Sequence, residues 1–252
     1  MRRVSSSVLL IVVLTFFTHA GPAQGQELVP ATGEAYFSIT PYLWLVNLSM
    51  DATLGSRTLE SDVSTSDIFD KLQFGAMGYI EGGKNGWGAF VEPIYAALSD
   101  DVTVTVPGVG ERELSWDADQ LWLDFGGLRQ VHRNIWILGG ARYYHMDSDV
   151  TIGENLENDS SGISTWNGFV GGRVIAPLSQ KTHLALRGDV GFGDSETNAR
   201  FRTALAYFFS SAWAFDVGFD YRKDEFEVDG ERVGYVLDTD WYGAVVGVTY
   251  RR

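Results

Sequence analysis

Six carboxylates and six arginines fall at positions that alternate with apolar residues along the chain: Glu81, Glu92, Asp124, Asp189, Asp216 and Asp220, and Arg142, Arg173, Arg187, Arg200, Arg202 and Arg222. These residue types form bidentate guanidinium–carboxylate pairs when they face one another, and such pairs are stronger than neutral hydrogen bonds. Three of the acids precede the arginine-rich segments, so the two signs fall on different stretches of chain. One chemistry this permits is a paired, hydrogen-bonded network. The other is a transverse field across a wet passage, which orients small polar solutes. The network is the expectation, because unpaired charge in a narrow interior is costly.

A second candidate centres on His145, two residues before Asp147 and close to Ser148. A base with an acid and a hydroxyl is the equipment of nucleophilic catalysis. Strand parity puts His145 on the apolar side with Tyr143, however, and no second motif supplies a nucleophile. No catalytic residue is assigned, and His145 is read as a rim histidine. His132 and His183 sit in or beside short turns, where a solvated or structural role is expected. With no Cys and no paired His, nothing supports a tetrahedral zinc site. Acids such as Asp100, Asp149, Glu154, Asp194 and Glu225 could bind divalent ions, but no spacing matches an EF-hand loop. No metal or cofactor is expected.

The elements that must position these residues follow from composition and periodicity. The chain has 252 residues, no Cys, 29 Gly, 6 Pro and a formal charge of −14. That excludes a disulfide scaffold and a disordered acidic tail. Without a basic cluster, nucleic acid is excluded as a partner. Arg2 and Arg3 precede an apolar run from Val8 to Phe17 and small residues around Ala20, Ala23 and Gly25. This is the layout of a secretory signal peptide over 1–25, cleaved after Ala20 or Gly25. The run is too short to span a membrane as a helix, which needs about 20 residues. The mature domain is 26–252.

Beyond residue 25, alternation at period two recurs in segments of about ten residues or more. In Trp213 to Arg222, one face carries Trp213, Phe215, Val217, Phe219 and Tyr221, and the other Ala214, Asp216, Gly218, Asp220 and Arg222. Ten strands are expected, near 35–47, 71–83, 87–106, 111–129, 134–150, 164–178, 181–193, 198–209, 212–227 and 236–251. Short turns at Lys84-Asn85-Gly86, His132-Arg133, Ser179-Gln180 and Ser210-Ser211 alternate with connections that are on average longer and more acidic, at 48–70, 107–110, 151–163, 194–197 and 228–235. An even strand count with this two-ended asymmetry is that of an all-β, transmembrane, antiparallel up-and-down β-barrel of about ten strands (eight to twelve), with short periplasmic turns and longer extracellular loops. A periplasmic sandwich is the alternative. Two aromatic girdles are expected, Trp87, Trp136, Trp213 and Tyr250 at the short-turn end, and Tyr95, Tyr143, Trp166 and Tyr221 at the other. Val63 to Leu72 reads as a short helix capped by Ser64 or Ser66, either plugging the barrel or lying at its rim. The register of the first strand, and hence its inward residues, stays open.

Several segments together resemble a group of largely uncharacterised outer-membrane β-barrel proteins of Gram-negative bacteria. They are Pro41-Tyr42-Leu43-Trp44-Leu45, the run Ser66 to Phe74, Gly140-Ala141-Arg142-Tyr143-Tyr144, Gly171-Gly172-Arg173, the run Arg187 to Gly193 and the closing run Tyr242 to Tyr250. The resemblance spans nearly all of the mature chain and implies a location and a barrel, not an activity. One departure is at the end: such barrels commonly finish on an aromatic residue, which the assembly machinery recognises, whereas Arg251 and Arg252 follow Tyr250 here.

The expected function is an integral outer-membrane barrel, structural or a narrow passive channel for small polar solutes, and not an enzyme. The alternatives are a rim enzyme acting on envelope lipid and a surface ligand-binding protein using acidic loops. The expected partners are outer-membrane lipid, lipopolysaccharide and the barrel assembly machinery.

Overall fold

The computed structural model describes residues 34–54, 57–106, 110–152, 156–195, 197–228 and 235–252. The expected signal peptide lies outside the described residues, as do Glu154, Glu196, Asp229 and Glu231 of the acidic loops. Eleven strands and one helix follow in order: β1 (Ala35–Leu54), β2 (Arg57–Val63), α1 (Thr65–Lys71), β3 (Leu72–Lys84), β4 (Trp87–Val106), β5 (Gly110–His132), β6 (Ile135–Ile152), β7 (Leu156–Pro177), β8 (Thr182–Gly193), β9 (Thr197–Phe208), β10 (Trp213–Val228) and β11 (Tyr235–Arg251).

Each strand from β3 to β11 pairs antiparallel with the next, and β1 closes the ring by pairing with β11 on one edge and β3 on the other. Ten strands therefore form the barrel, and β2 is the eleventh. Closure matters because hydrocarbon offers no partner to an unpaired N–H or C=O, and only a ring of strands leaves no edge. The seam runs to the end of the chain. Phe37 N–H donates to the Arg252 carbonyl at 2.8 Å and Arg252 N–H to the Phe37 carbonyl at 2.9 Å. Arg251 is buried, its guanidinium 5.6 Å from the Tyr36 ring centre. The terminal arginine pair thus continues the ladder rather than ending it.

At the short-turn end, Asn85 and Gly86 both take positive φ, 56° and 74°. That is the two-residue hairpin turn whose twist matches the flanking strands, and it explains why Asn-Gly stands there. At the other end the strands run further than periodicity indicated. The expected connection 151–163 is mostly strand, with Asp149 opposite Ser160 and Ser148 opposite Ser161. Residues 157–162 are polar or glycine without a break, so no alternation marks this stretch. Likewise β1 continues to Leu54 and folds back as β2 inside the expected connection 48–70.

The helix lies at the rim. Ser64 is its cap, with Asp67 N–H donating to its hydroxyl at 3.3 Å and its own N–H donating to the Asp67 carboxylate at 3.1 Å. The Ser64 hydroxyl holds the Asp67 carboxyl below the usual carboxylate range. The edge of β1 between its pairings with β3 and β2 is met by α1, where Thr65 N–H and hydroxyl both donate to the Asn47 side-chain carbonyl at 2.9 and 3.0 Å. Ile68 packs on the interior and Lys71 reaches Asp100 at 3.1 Å. A depressed carboxyl stabilises above its unfolded pKa and loses that contribution as pH falls through the folded one. The protection factors of the Asp67 and Ile68 amides, taken against the intrinsic exchange rate at each pH, are therefore expected to fall in Ser64→Ala, and in the parent chain once pH drops below the carboxylate range. Equal protection factors at neutral and acid pH would remove the cap from this role.

Candidate functional site

Side chains alternate between the two faces of every strand, and the outer face is apolar. Phe37, Ile39, Leu43, Phe125, Ile137, Val170, Phe192, Phe201, Phe215 and Phe219 are all exposed on it. Aromatic contacts mark both borders: Trp213 with Tyr250 at 4.9 Å near the short turns, and Tyr143 with Trp166 at 4.7 Å towards the other end. Trp87 is 63% exposed, as a headgroup-level residue is. Trp136 corrects the expected girdle. It is 2% exposed and points inward, with the Arg173 guanidinium 5.3 Å from its ring centre. Nearness to a turn had placed it by height alone, but parity with Leu138 and Arg142 places it inside.

The interior holds the charges. Glu92 accepts both Arg200 terminal nitrogens at 2.6 and 2.8 Å, Arg202 Nη1 at 2.6 Å, the Tyr42 hydroxyl at 2.7 Å and Arg187 Nη1 at 3.5 Å. Arg200 also reaches Asp220 at 2.6 and 3.0 Å and Asp124 at 3.1 Å. Asp124 binds Arg142 in bidentate fashion at 2.8 and 3.0 Å, and Arg142 continues to Asp189 at 2.9 Å and to Asn198 at 2.5 Å. Arg187 Nε closes on Asp189 at 2.8 Å. Nearer the short turns, Glu81 takes both terminal nitrogens of Arg173 and the hydroxyls of Tyr36 and Tyr79 at 2.6 and 2.5 Å.

Ten of the twelve residues singled out from the sequence therefore meet in hydrogen-bonded ion pairs, some between neighbouring strands, as Asp124 with Arg142 and Asp220 with Arg200, and others across the lumen, as Glu92 with Arg200 and Glu81 with Arg173. Acids of β3, β4 and β5 face arginines of β6 to β9. Two stand apart. Asp216 accepts from the Thr249 hydroxyl at 2.7 Å rather than from an arginine. Arg222 is fully buried, yet none of its nitrogens makes a hydrogen bond among the described residues; its nearest carboxylate, Asp124, is 3.7 Å away and its guanidinium lies 5.7 Å from the Trp44 ring centre. The phenols Tyr36, Tyr42 and Tyr79 went unread. Tyr79 shares inward parity with Glu81, and that signal was present; the two on β1 needed its register.

Above the charges, towards the long extensions, lies an aromatic layer. Trp122 packs against Trp241 at 4.9 Å and Tyr144 at 4.8 Å, beside Tyr42, Trp44, Ile94 and Val245. On the far side of the Asp124–Arg142 pair, β5 and β6 approach closely at Gly126 and Gly140, where a Cβ on Gly140 would lie 2.7 Å from the Gly126 Cα.

His145 lies outside, on the strand face of Tyr143. Its Nε2 is 2.9 Å from Asp147 Oδ2 and its Nδ1 is 2.7 Å from Ser164 Oγ. The hydroxyl comes from β7, not from neighbouring Ser148.

A closed antiparallel ring with apolar residues outside and ion pairs inside has the architecture of a transmembrane up-and-down β-barrel. No helix among the described residues is long and apolar enough to cross a membrane. No family model and no curated protein matches the chain. Among solved structures, the translocator domain of autotransporter NalP from Neisseria meningitidis is similar at 15% identity and TM-score 0.47, over 97% of this chain and 94% of that one. The outer membrane protease OmpT from Escherichia coli aligns at 10% identity and TM-score 0.47, over 90% and 99%. Ail, the attachment invasion locus protein of Yersinia pestis, aligns at 9% identity and TM-score 0.38, over 87% and 99%.

Proposed function

We propose that the protein is a structural outer-membrane barrel with a shut interior, held among outer-membrane lipid and lipopolysaccharide, rather than a passive channel for small polar solutes. The observation that supports this most is the environment of Arg200. Its side chain has no exposed surface, and neither have those of Glu92 and Asp124, which reach it from β4 and β5. Ions crossing this level would have to displace groups that are already paired, and the aromatic layer above adds a second obstruction. Current across a planar bilayer containing the refolded protein, at two salt concentrations, tests the reading. Silence is expected from a barrel that electrophoresis shows to be folded. Steady current proportional to salt would overturn the structural reading in favour of the channel.

A second reading, a rim enzyme acting on envelope lipid, has one specific observation behind it: the hydrogen-bonded series Asp147, His145, Ser164 on the outer face. Here the serine meets Nδ1 and the acid Nε2, and either ring nitrogen can act as a base. If this reading holds, phospholipid acyl-ester hydrolysis by the folded barrel falls at least a hundredfold in both Ser164→Ala and His145→Ala. Absence of hydrolysis in the parent chain, or equal rates in all three, removes it.

A further inference from the structure

A cavity of about 170 Å3 lies at the short-turn end of the barrel, beneath the ion pairs, with Tyr36, Trp136, Arg173, Arg187 and Arg202 among its walls. The polar groups there do not balance. The Glu81 carboxylate is already taken by two phenols and Arg173. Trp136 Nε1 and Arg173 Nε are buried donors with no hydrogen-bond acceptor among the described residues, and Arg187 Nη2 has only the Asp124 carboxylate at 3.8 Å, beyond hydrogen-bond distance. Arg202 commits only Nη1, to Glu92. Leaving a buried donor without a partner is costly, and more so when the group is charged. Every one of these unmet groups is a donor. The rest of the wall mixes apolar residues such as Ile175 and Val245 with Ser38, Thr40, Asp216, Thr249 and a further cation, Arg251.

We infer that this chamber binds a small organic monoanion, a carboxylate carried on a compact apolar body, entering from the periplasmic side. A carboxylate matches the planar fork of a guanidinium and accepts several N–H groups at once. Arg202 and Arg187 receive it, and Trp136 supplies a neutral donor and a flat apolar wall. Volume sets the size of the body. Drug-sized ligands occupy about 300–1,000 Å3, so this space takes one ring and one carboxylate. Asp216, on the same wall and bonded to Thr249 at 2.7 Å, disfavours a second negative charge. The end of the chamber at Tyr36, opposite Gly83 beside the Asn85-Gly86 turn, sets the side of entry.

The test is calorimetric titration of the refolded full chain in detergent with sodium benzoate, alongside benzamide and benzylamine, which have nearly the same shape but no charge and the opposite charge. Benzoate is expected to bind saturably at one site, benzamide at least tenfold more weakly and benzylamine not at all. Arg202→Gln should weaken benzoate at least tenfold, and it leaves Glu92 held by Arg200 and Tyr42. Trp136→Phe, which deletes one N–H and keeps the apolar wall, should weaken it about threefold to tenfold. No saturable heat from benzoate on the folded parent chain would mean a water-filled cavity and would overturn the inference. So would equal binding of the three probes, or benzoate affinity unchanged in both variants. Binding is read separately from ionic current, so failure here and failure of the closed-barrel reading are distinguishable.

Discussion

Glu92→Ala is expected to prevent most of the chain from reaching the folded barrel. Glu92 is the carboxylate on which Arg200, Arg202 and Tyr42 converge, within reach of Arg187. Its removal leaves Arg202 without an ion pair inside 3.5 Å and withdraws one of the acids that neutralise Arg200. Breaking a buried pair from one side costs about 3–5 kcal/mol, because the surviving charge stays desolvated. Against a total stability of roughly 5–15 kcal/mol, that is a large fraction. The folded fraction, measured by heat-modifiable electrophoretic mobility, should fall steeply, and the urea midpoint of whatever folds in lipid vesicles should drop. Glu92→Gln should recover part of the loss by keeping one acceptor. A midpoint equal to that of the parent chain would show that the arginines find water instead, and the interior would then be wet.

The second large effect is a coupling. Glu81 and Arg173 join β3 to β7 across the lumen, and two phenols complete the carboxylate. Arg173→Met is expected to cost about 3–5 kcal/mol by stranding a buried acid. Glu81→Gln should cost less, since one of the two phenols, Tyr36 or Tyr79, can still donate to the amide oxygen while the other accepts from the amide N–H. The double variant should be more stable than the sum of the two losses by about 2 kcal/mol, as for residues in direct contact. Strict additivity in the urea midpoints would mean that the two groups do not depend on one another.

Not every part of the interior was equally readable from the residues. Glu81, Glu92 and Arg142 lie in strands with clean alternation, and parity alone turned them inward. Trp136 was misplaced because proximity to a turn sets height along the barrel axis but not the face. Tyr42 and Trp44 were unassigned because β1 mixes large apolar residues on both faces, which leaves register undetermined until β11 and β3 flank it. The polar segments at the outer end, such as 157–162, and β2 with them, carry no alternation, since too few apolar residues stand there to mark a face. Ser164 was overlooked because a neighbouring strand, not a neighbouring residue, brings it to His145.

What the amino-acid sequence determined by itself was local and periodic: strands, short turns, the capped helix, the inverted polarity and the barrel that inverted polarity requires. These follow from the two-residue repeat of a strand and from the need to pair every backbone group in lipid. Only the tertiary structure decided which arginine meets which acid. Partners such as Glu92 and Arg200 are 108 residues apart, and their meeting depends on ring closure and strand stagger. The packing of Trp122 on Trp241 and the cavity with its unmet donors were settled in the same way, by side chains from opposite walls whose distance is set by the circumference of the barrel.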